Sequence, residues 1–263
     1  MAFFELVVTA LVQGASVVLP VSAATHAMIL RAVFGGPGPS PAAEAAMHLG
    51  SGLALAVVLF QDIWRMMFGL FQAARRRRDP GGRLALNFLL ASAPLLAAGM
   101  ALDGSEIAAD PASLGLVSIV FGVLLYLADR LGMTIRRMEH MRVSGALAMG
   151  AAQLLALVPG AGRSSVTMTA ARFLGYERVA AARFSLLIAI PVTFALAGRG
   201  AFGAHAPVDG EALMAGGIAC IASLAAAGAL LAALKRERFT PYALYRVLLG
   251  AGLLAWAYMP ALG

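Results

Sequence analysis

The chain has 263 residues, 61% of them hydrophobic and only 13% charged, with a mean hydropathy of +0.85. Soluble domains run near 45–50% apolar and about 25% charged, so an ordinary soluble enzyme and a disordered chain are both excluded. The formal charge of +7 does not argue for nucleic acid, because in so apolar a chain basic loops facing an anionic leaflet account for it.

A crossing needs about 20 apolar residues, which leaves room for roughly six to eight of them. The first apolar run, 2–33, lacks a basic leader and continues into further membrane sequence, so no separate cleavable signal is expected. It is broken by Gly14 and Pro20 and carries Gln13, Ser16, Ser22, Thr25 and His26. The run 42–71 reads as a crossing whose charges, Glu44, Asp62 and Arg65, lie toward its ends; Trp64, Met66 and Met67 read as interfacial packing. Runs 84–102 and 113–129 are plain spans. The run 144–175 is broken again, by Pro159, Gly160 and Gly162, and carries Gln153, Arg163, Ser164, Ser165, Thr167 and Thr169. Arg172, Glu177, Arg178 and Arg183 follow where it returns to the surface and read as interfacial anchors rather than substrate contacts. Run 181–199 crosses, as do 211–234 and 242–262, with Tyr242, Tyr245 and Arg246 reading as an anchored helix start. Cys220 is the only cysteine, which rules out a disulfide framework within the chain and a multi-cysteine metal site.

Proline and glycine at membrane depth free backbone groups that protein or a water-filled cavity must satisfy. The two broken runs are therefore expected to be re-entrant hairpins. Loop charge agrees. Arg75 to Arg78 with Arg83, then Arg130, Arg136, Arg137 and Arg142, then Lys235, Arg236 and Arg238 mark three cytoplasmic loops. Loops 103–112 and 203–210 hold Asp103, Glu106, Asp110 and Asp209 but no Lys or Arg, and belong outside. The expected fold is all-α: a polytopic membrane protein with six transmembrane helices and two re-entrant helical hairpins. Both termini lie outside. Residues 1–263 form a single domain whose halves, about 1–130 and 143–263, are inverted repeats. Gln13-Gly14 with Pro20 and Ser22 is echoed by Gln153 with Pro159, Gly160, Arg163 and Ser164, and such repeats commonly bring broken helices together around a polar site.

An intramembrane arginine is costly, on the order of 2.5–3.5 kcal/mol on insertion scales. Arg163 stands in Pro159-Gly160-Ala161-Gly162-Arg163-Ser164-Ser165, where open backbone amides, hydroxyls and a guanidinium fork suit an oxyanion or phosphate. The bland alternative is a snorkelling or bracing arginine, which leaves the glycines unexplained. His26 follows Ser22 by one helical turn and His48 follows Glu44 likewise. His26 reads equally as a buried hydrogen-bonding residue or as a nucleophile or general acid/base in phosphoryl transfer. His140 and His205 read as surface loop residues.

At these clusters the sequence resembles the undecaprenyl-diphosphate phosphatase family, membrane enzymes associated with bacitracin resistance. The family motif E-G-x-T-E-F-L-P-V-S-S-T-G-H here runs from Gln13-Gly14 through Pro20-Val21-Ser22 to Thr25-His26, and P-G-x-S-R-S-G reads Pro159-Gly160-Ala161-Gly162-Arg163-Ser164-Ser165. His48-Leu49-Gly50-Ser51, Phe184-Ser185-Leu186-Leu187 with Pro191, and Tyr245-Arg246 also look similar. The resemblance implies hydrolysis of the terminal phosphate of undecaprenyl diphosphate in the bacterial inner membrane, recycling the lipid carrier of cell-wall precursors, with the site open to the periplasm. It implies catalytic roles for His26, Ser22 and Arg163, and substrate binding by Gln13, Thr25, Gly160, Gly162, Ser164 and Ser165.

The expected partner is a polyprenyl diphosphate lipid in the bilayer. Nucleic acid is not expected, and the reading leaves room for a homodimer. Mg²⁺ or Ca²⁺ is the implied cofactor, with its ligands unassigned. Gln13 and Val17 occupy the two glutamate positions of the first motif, and no Asp or Glu lies between Glu5 and Glu44. Gly162 and Ser165 depart from the second motif, and Arg183 stands where many relatives have glutamate. A non-hydrolytic lipid-phosphate binder or flippase on the same fold is the alternative reading.

Overall fold

The computed structural model describes residues 2–101, 109–203 and 209–259. His205, Asp103 and Glu106 lie outside the described residues. Eleven α-helices account for nearly all of the described chain: α1 (Phe3–Val18), α2 (Ala23–Phe34), α3 (Pro41–Val58), α4 (Phe60–Ala74), α5 (Pro80–Ala101), α6 (Pro111–Leu131), α7 (Val143–Gln153), α8 (Arg163–Phe173), α9 (Arg178–Gly203), α10 (Gly210–Ala233) and α11 (Thr240–Tyr258). Among the described residues no strand forms; a lone bridge joins Arg136 to Tyr176.

Both interrupted runs fold as helix–break–helix. A proline disfavours helical backbone in the residue before it, and Leu19, preceding Pro20, sits in the extended region at ψ 150°. Ser22 then caps α2, its hydroxyl accepting from the Thr25 amide at 3.2 Å. In the second run a 3₁₀ turn, Leu154–Leu157, leads into Pro159, and α8 begins at Arg163.

Among the described residues five helices are long and apolar enough to cross a bilayer: α3, α5, α6, α9 and α10. The expected sixth, α11, is 19 residues long but Arg246 and its tyrosines dilute its apolar character; it packs along α6. The run 42–71, expected as one crossing, is two helices. The chain leaves helical geometry at Leu59 (φ −102°, ψ 19°), so α3 alone is the span, and α4 turns to pack on α5. Trp64 and Met67 on α4 are exposed while Met66 is buried.

The termini of spans are chemically marked. Ser40 caps α3, Asp110 caps α6 and Asp209 caps α10, with proline opening α3 and α6. The Ser113 amide, donating to Asp110 at 2.7 Å, holds that carboxyl below its ordinary range.

Helix α9 lies deepest, flanked by α3, α5 and α8. Small residues let helices approach backbone to backbone: a Cβ on Gly50 of α3 would stand 2.1 Å from the Gly216 carbonyl oxygen of α10. Gly50→Leu is expected to force α3 and α10 apart and cost about 1–3 kcal/mol, read as a lower thermal midpoint in detergent. An unchanged midpoint would contradict this packing.

Helix α1 packs on α10 while α7 packs on α5, and α3 meets α9 as α6 meets α11. Each hairpin thus lies against a span of the opposite half.

Candidate functional site

The break of the second hairpin is bonded into that of the first. Arg163 opens α8, and its Nη2 donates to the Val17 carbonyl at 3.1 Å while Nη1 donates to the Ser185 carbonyl at 3.1 Å. The Ser164 hydroxyl donates to the same Val17 carbonyl at 2.7 Å and accepts from Arg163 Nη2 at 3.2 Å. Val17 thus stands at one glutamate position of the motif, and its backbone oxygen is what Arg163 and Ser164 hold. Below them Thr167 donates to the Arg163 carbonyl at 2.9 Å and shares a hydrogen bond with the Ser185 hydroxyl.

Gly162 is required where it stands. Its φ is +75°, and a Cβ there would lie 2.3 Å from the Val21 carbonyl oxygen. Gly160, at φ +94°, offers its carbonyl to Nη2 of Arg246 at 2.7 Å. Arg246 was expected as a plain helix anchor. It is instead fully buried, with Nε 3.4 Å from the Ser118 carbonyl and the Ser118 hydroxyl donating to the Arg246 carbonyl at 3.1 Å. Among the described residues its Nη1 has no hydrogen-bond partner, and it stands 3.2 Å from the point a Gly162 Cβ would occupy. Burying such a group unpaired is costly, so its presence calls for an anion or another acceptor.

His26 completes the arrangement. Its Nδ1 lies 2.6 Å from the Ser22 carbonyl and its Nε2 lies 2.6 Å from the Tyr245 hydroxyl, with the two rings 9° from parallel. A carbonyl only accepts, so Nδ1 carries the hydrogen and neutral Nε2 offers a lone pair. Contacts and chain neighbours now close a ring: Gly162 on Val21, Ser22 under His26, His26 on Tyr245, and Arg246 back on Gly160 and beside Gly162. Both hairpins and α11 contribute.

Thr25 and Ser165 are fully buried beside this ring, and among the described residues neither hydroxyl has a hydrogen-bond partner. Gln13 is placed differently. It lines a separate cavity between α1, α2 and α3 together with Glu5, Arg31 and Glu44. Its counterpart in the sequence echo, Gln153, is buried and donates to the Ala91 carbonyl at 2.6 Å, bracing α7 against α5.

The arginines expected as interfacial anchors are held by carboxylates. Arg172 is fully buried and, with Arg178, donates to Asp129; Arg183 donates to Asp62 at 2.6 Å. Arg183 therefore carries its own counter-charge from α4. His140 ends a 3₁₀ turn, Met138–His140, in the connection between α6 and α7, its Nδ1 accepting from the Arg137 amide at 3.2 Å.

Divalent Mg²⁺ and Ca²⁺ take hard oxygen donors, normally carboxylates. Among the described residues no three His, Cys, Asp or Glu side chains gather at one point. Gln13 and Val17 bring only an amide and an alkyl group. This donor set does not fit a divalent cation held by the protein alone.

Sequence reasoning passed over Arg246 and Tyr245 as site residues. The signal was available: an arginine inside an apolar run of a membrane chain, the criterion that singled out Arg163.

The family model for bacitracin resistance protein BacA matches residues 6–252. Undecaprenyl-diphosphatase 1 of Rhodospirillum rubrum is 40% identical over 98% of this chain and 96% of its own length. Undecaprenyl-diphosphatase of Roseobacter denitrificans is 38% identical over 98% of this chain and its full length, and undecaprenyl-diphosphatase 1 of Paramagnetospirillum magneticum 36% identical over 98% of each. The similarity spans both hairpins and the helix that carries Tyr245 and Arg246, and the chain belongs to the BacA bacitracin-resistance family.

Proposed function

We propose that this chain is a membrane phosphatase that removes the terminal phosphate of undecaprenyl diphosphate, returning undecaprenyl phosphate for cell-wall synthesis. The observation that carries the reading is the ring in which a histidine whose Nε2 is an acceptor nitrogen and a buried arginine whose Nη1 has no partner among the described residues converge on a glycine-rich helix start. The relatives' names, undecaprenyl-diphosphatase, agree with it.

In this mechanism Arg163, braced by Val17 and Ser185, and Arg246, with its free Nη1, face the phosphate charge, aided by the α8 amides. Ser164, Ser165 and Thr25 supply hydroxyls. The Ser22 carbonyl fixes the His26 tautomer, while its hydroxyl is engaged as the α2 cap, which leaves His26 the better nucleophile. The Nε2 lone pair attacks the terminal phosphorus; the N–P bond forms as the bond to the bridging oxygen breaks, and that electron pair leaves with undecaprenyl phosphate. Water then bonds to phosphorus, the N–P pair returns to Nε2, and both water hydrogens leave with dihydrogen phosphate.

In this reading the site lies in the bacterial cytoplasmic membrane and opens to the outer side, with both termini outside. The arginine-rich loops after α4, α6 and α10 support this, set against the aspartate caps that open α6 and α10. The α1–α10 and α5–α7 packing supports inverted halves.

The test is phosphate release from undecaprenyl diphosphate by purified protein, with acid-labile, base-stable radiolabel trapped on the wild type and absent from His26→Gln. No release above a detergent blank by folded protein overturns the reading. Restoring both motif carboxylates, in Gln13→Glu with Val17→Glu, is expected to give a rate several-fold more responsive to added Mg²⁺ or Ca²⁺ than the wild type's. Equal responses of the two proteins would contradict the reading of these positions.

A further inference from the structure

The hydrogen bond between Tyr245 and His26 has no counterpart in the roles assigned above. In the resting protein the only group on Nε2 of His26, among the described residues, is the Tyr245 hydroxyl at 2.6 Å. In the neutral imidazole Nδ1 spends the one ring hydrogen on the Ser22 carbonyl, so the phenol is the donor to Nε2 and the lone pair needed for chemistry is occupied. The first-motif positions offer no carboxylate to take that place, because Gln13 faces another cavity and Val17 has no polar side-chain atom.

The placement of Tyr245 differs from that of its neighbour. Arg246 is fully buried and fastened to the Gly160 carbonyl, whereas Tyr245 is 43% exposed. Helix α11 packs along α6, so its backbone is held while the phenol side chain keeps room to turn. A hydroxyl on a fixed backbone, facing open space and bonded to the reactive nitrogen, is suited to exchange one acceptor for another. An incoming phosphate supplies that acceptor: its oxygens carry negative charge and draw an O–H more strongly than a neutral imidazole nitrogen does.

We propose that Tyr245 is a handover residue, which caps Nε2 of His26 at rest and passes its hydrogen bond to a phosphoryl oxygen of the bound diphosphate, releasing the lone pair toward phosphorus. The proposal rests on the phosphatase reading for its substrate. Tyr245 keeps its proton throughout; only the acceptor changes. The hydroxyl then adds one neutral donor to the two guanidinium groups, and the histidine is unmasked only when phosphate is present.

Two measurements test it. In Tyr245→Phe, which keeps the ring and loses the hydroxyl, kcat for undecaprenyl diphosphate is expected to fall roughly 10- to 100-fold, with KM changed far less and the thermal midpoint unchanged. An unchanged kcat, or a loss confined to KM, overturns the proposal.

The second measurement uses wild-type protein carrying ¹⁵N-histidine, with His26 assigned by its absence in His26→Gln. Saturation with farnesyl methylenediphosphonate, which cannot be hydrolysed at its methylene bridge, is expected to shift the Nε2 resonance of His26 toward that of a free acceptor nitrogen. An Nε2 resonance unmoved at saturation overturns the handover even if Tyr245→Phe does not fold. Absence of phosphate release by the wild type sinks the phosphatase reading alone, because this titration reads the Tyr245–His26 bond without turnover.

Discussion

Replacing Arg163 by alanine is expected to lower phosphate release from undecaprenyl diphosphate by about 10²–10³-fold, the loss typical when one preorganised donor to a developing charge is removed. The guanidinium is held in place before any substrate arrives: Nη1 is on the Ser185 carbonyl, and Nη2 on the Val17 carbonyl and the Ser164 hydroxyl. These bonds fix the fork and leave its remaining N–H groups for phosphate. Lysine carries the charge but cannot hold two carbonyls and a phosphate in one plane, so Arg163→Lys should recover only a small part of the rate. Thermal midpoints of both variants separate loss of chemistry from loss of the hairpin–hairpin contact. Near-wild-type turnover in folded Arg163→Ala would remove Arg163 from the site.

The second large effect concerns stability and lies on the side of the arginine-rich loops. Asp129, at the end of α6, is almost fully buried. Its Oδ1 accepts from Arg172 Nε at 3.1 Å and Arg178 Nε at 2.7 Å, and its Oδ2 from the Phe239 amide at 3.1 Å. One carboxylate thereby ties α6, α8, α9 and the start of α11. Arg172 spends its remaining N–H groups on the carbonyls of Gly132, Met133, Tyr176 and Asp129 itself. Asp129→Ala leaves a buried guanidinium without its counter-charge and is expected to cost about 3–5 kcal/mol. Denaturant or thermal unfolding in detergent would read this as a large drop in midpoint. Replacing the pair together, Asp129→Ala with Arg172→Met, should be milder than Asp129→Ala alone, since no charge is then stranded. A double variant at least as unstable as the single one would contradict the account.

The networks of Asp129 and Asp62 also explain a misreading of the sequence. Arg172, Arg178 and Arg183 follow an apolar run, where basic residues normally mark an interface. Their partners lie 43, 49 and 121 residues away in the chain, on α6 and α4, and nothing in local spacing points to them. Arg246 was underread for a related reason. It lies one turn into an apolar run, where an anchor is the ordinary explanation, and its proximity to Gly160 joins residues 86 apart. Gln13 shows the opposite relation of motif to placement. Its place in the motif suggested the site, but the turn of α1 directs it to the cavity with Glu5, Arg31 and Glu44.

By itself the sequence determined the all-helical membrane class and the two interrupted runs, and it singled out Arg163 and the glycines before it as candidates. These are local consequences of chain physics: apolar length sets spans, Pro20 and Pro159 break helices, and an intramembrane cation must find partners. Only the tertiary structure decided that the run 42–71 is a span followed by a separate helix. Only it decided that Val17 contributes a carbonyl where the motif has a carboxylate, and that Tyr245 and Arg246 close the ring around His26 and Gly162. Those facts depend on which helices lie side by side. A hydrogen bond across 219 residues, such as that between His26 and Tyr245, is fixed by packing and not by spacing.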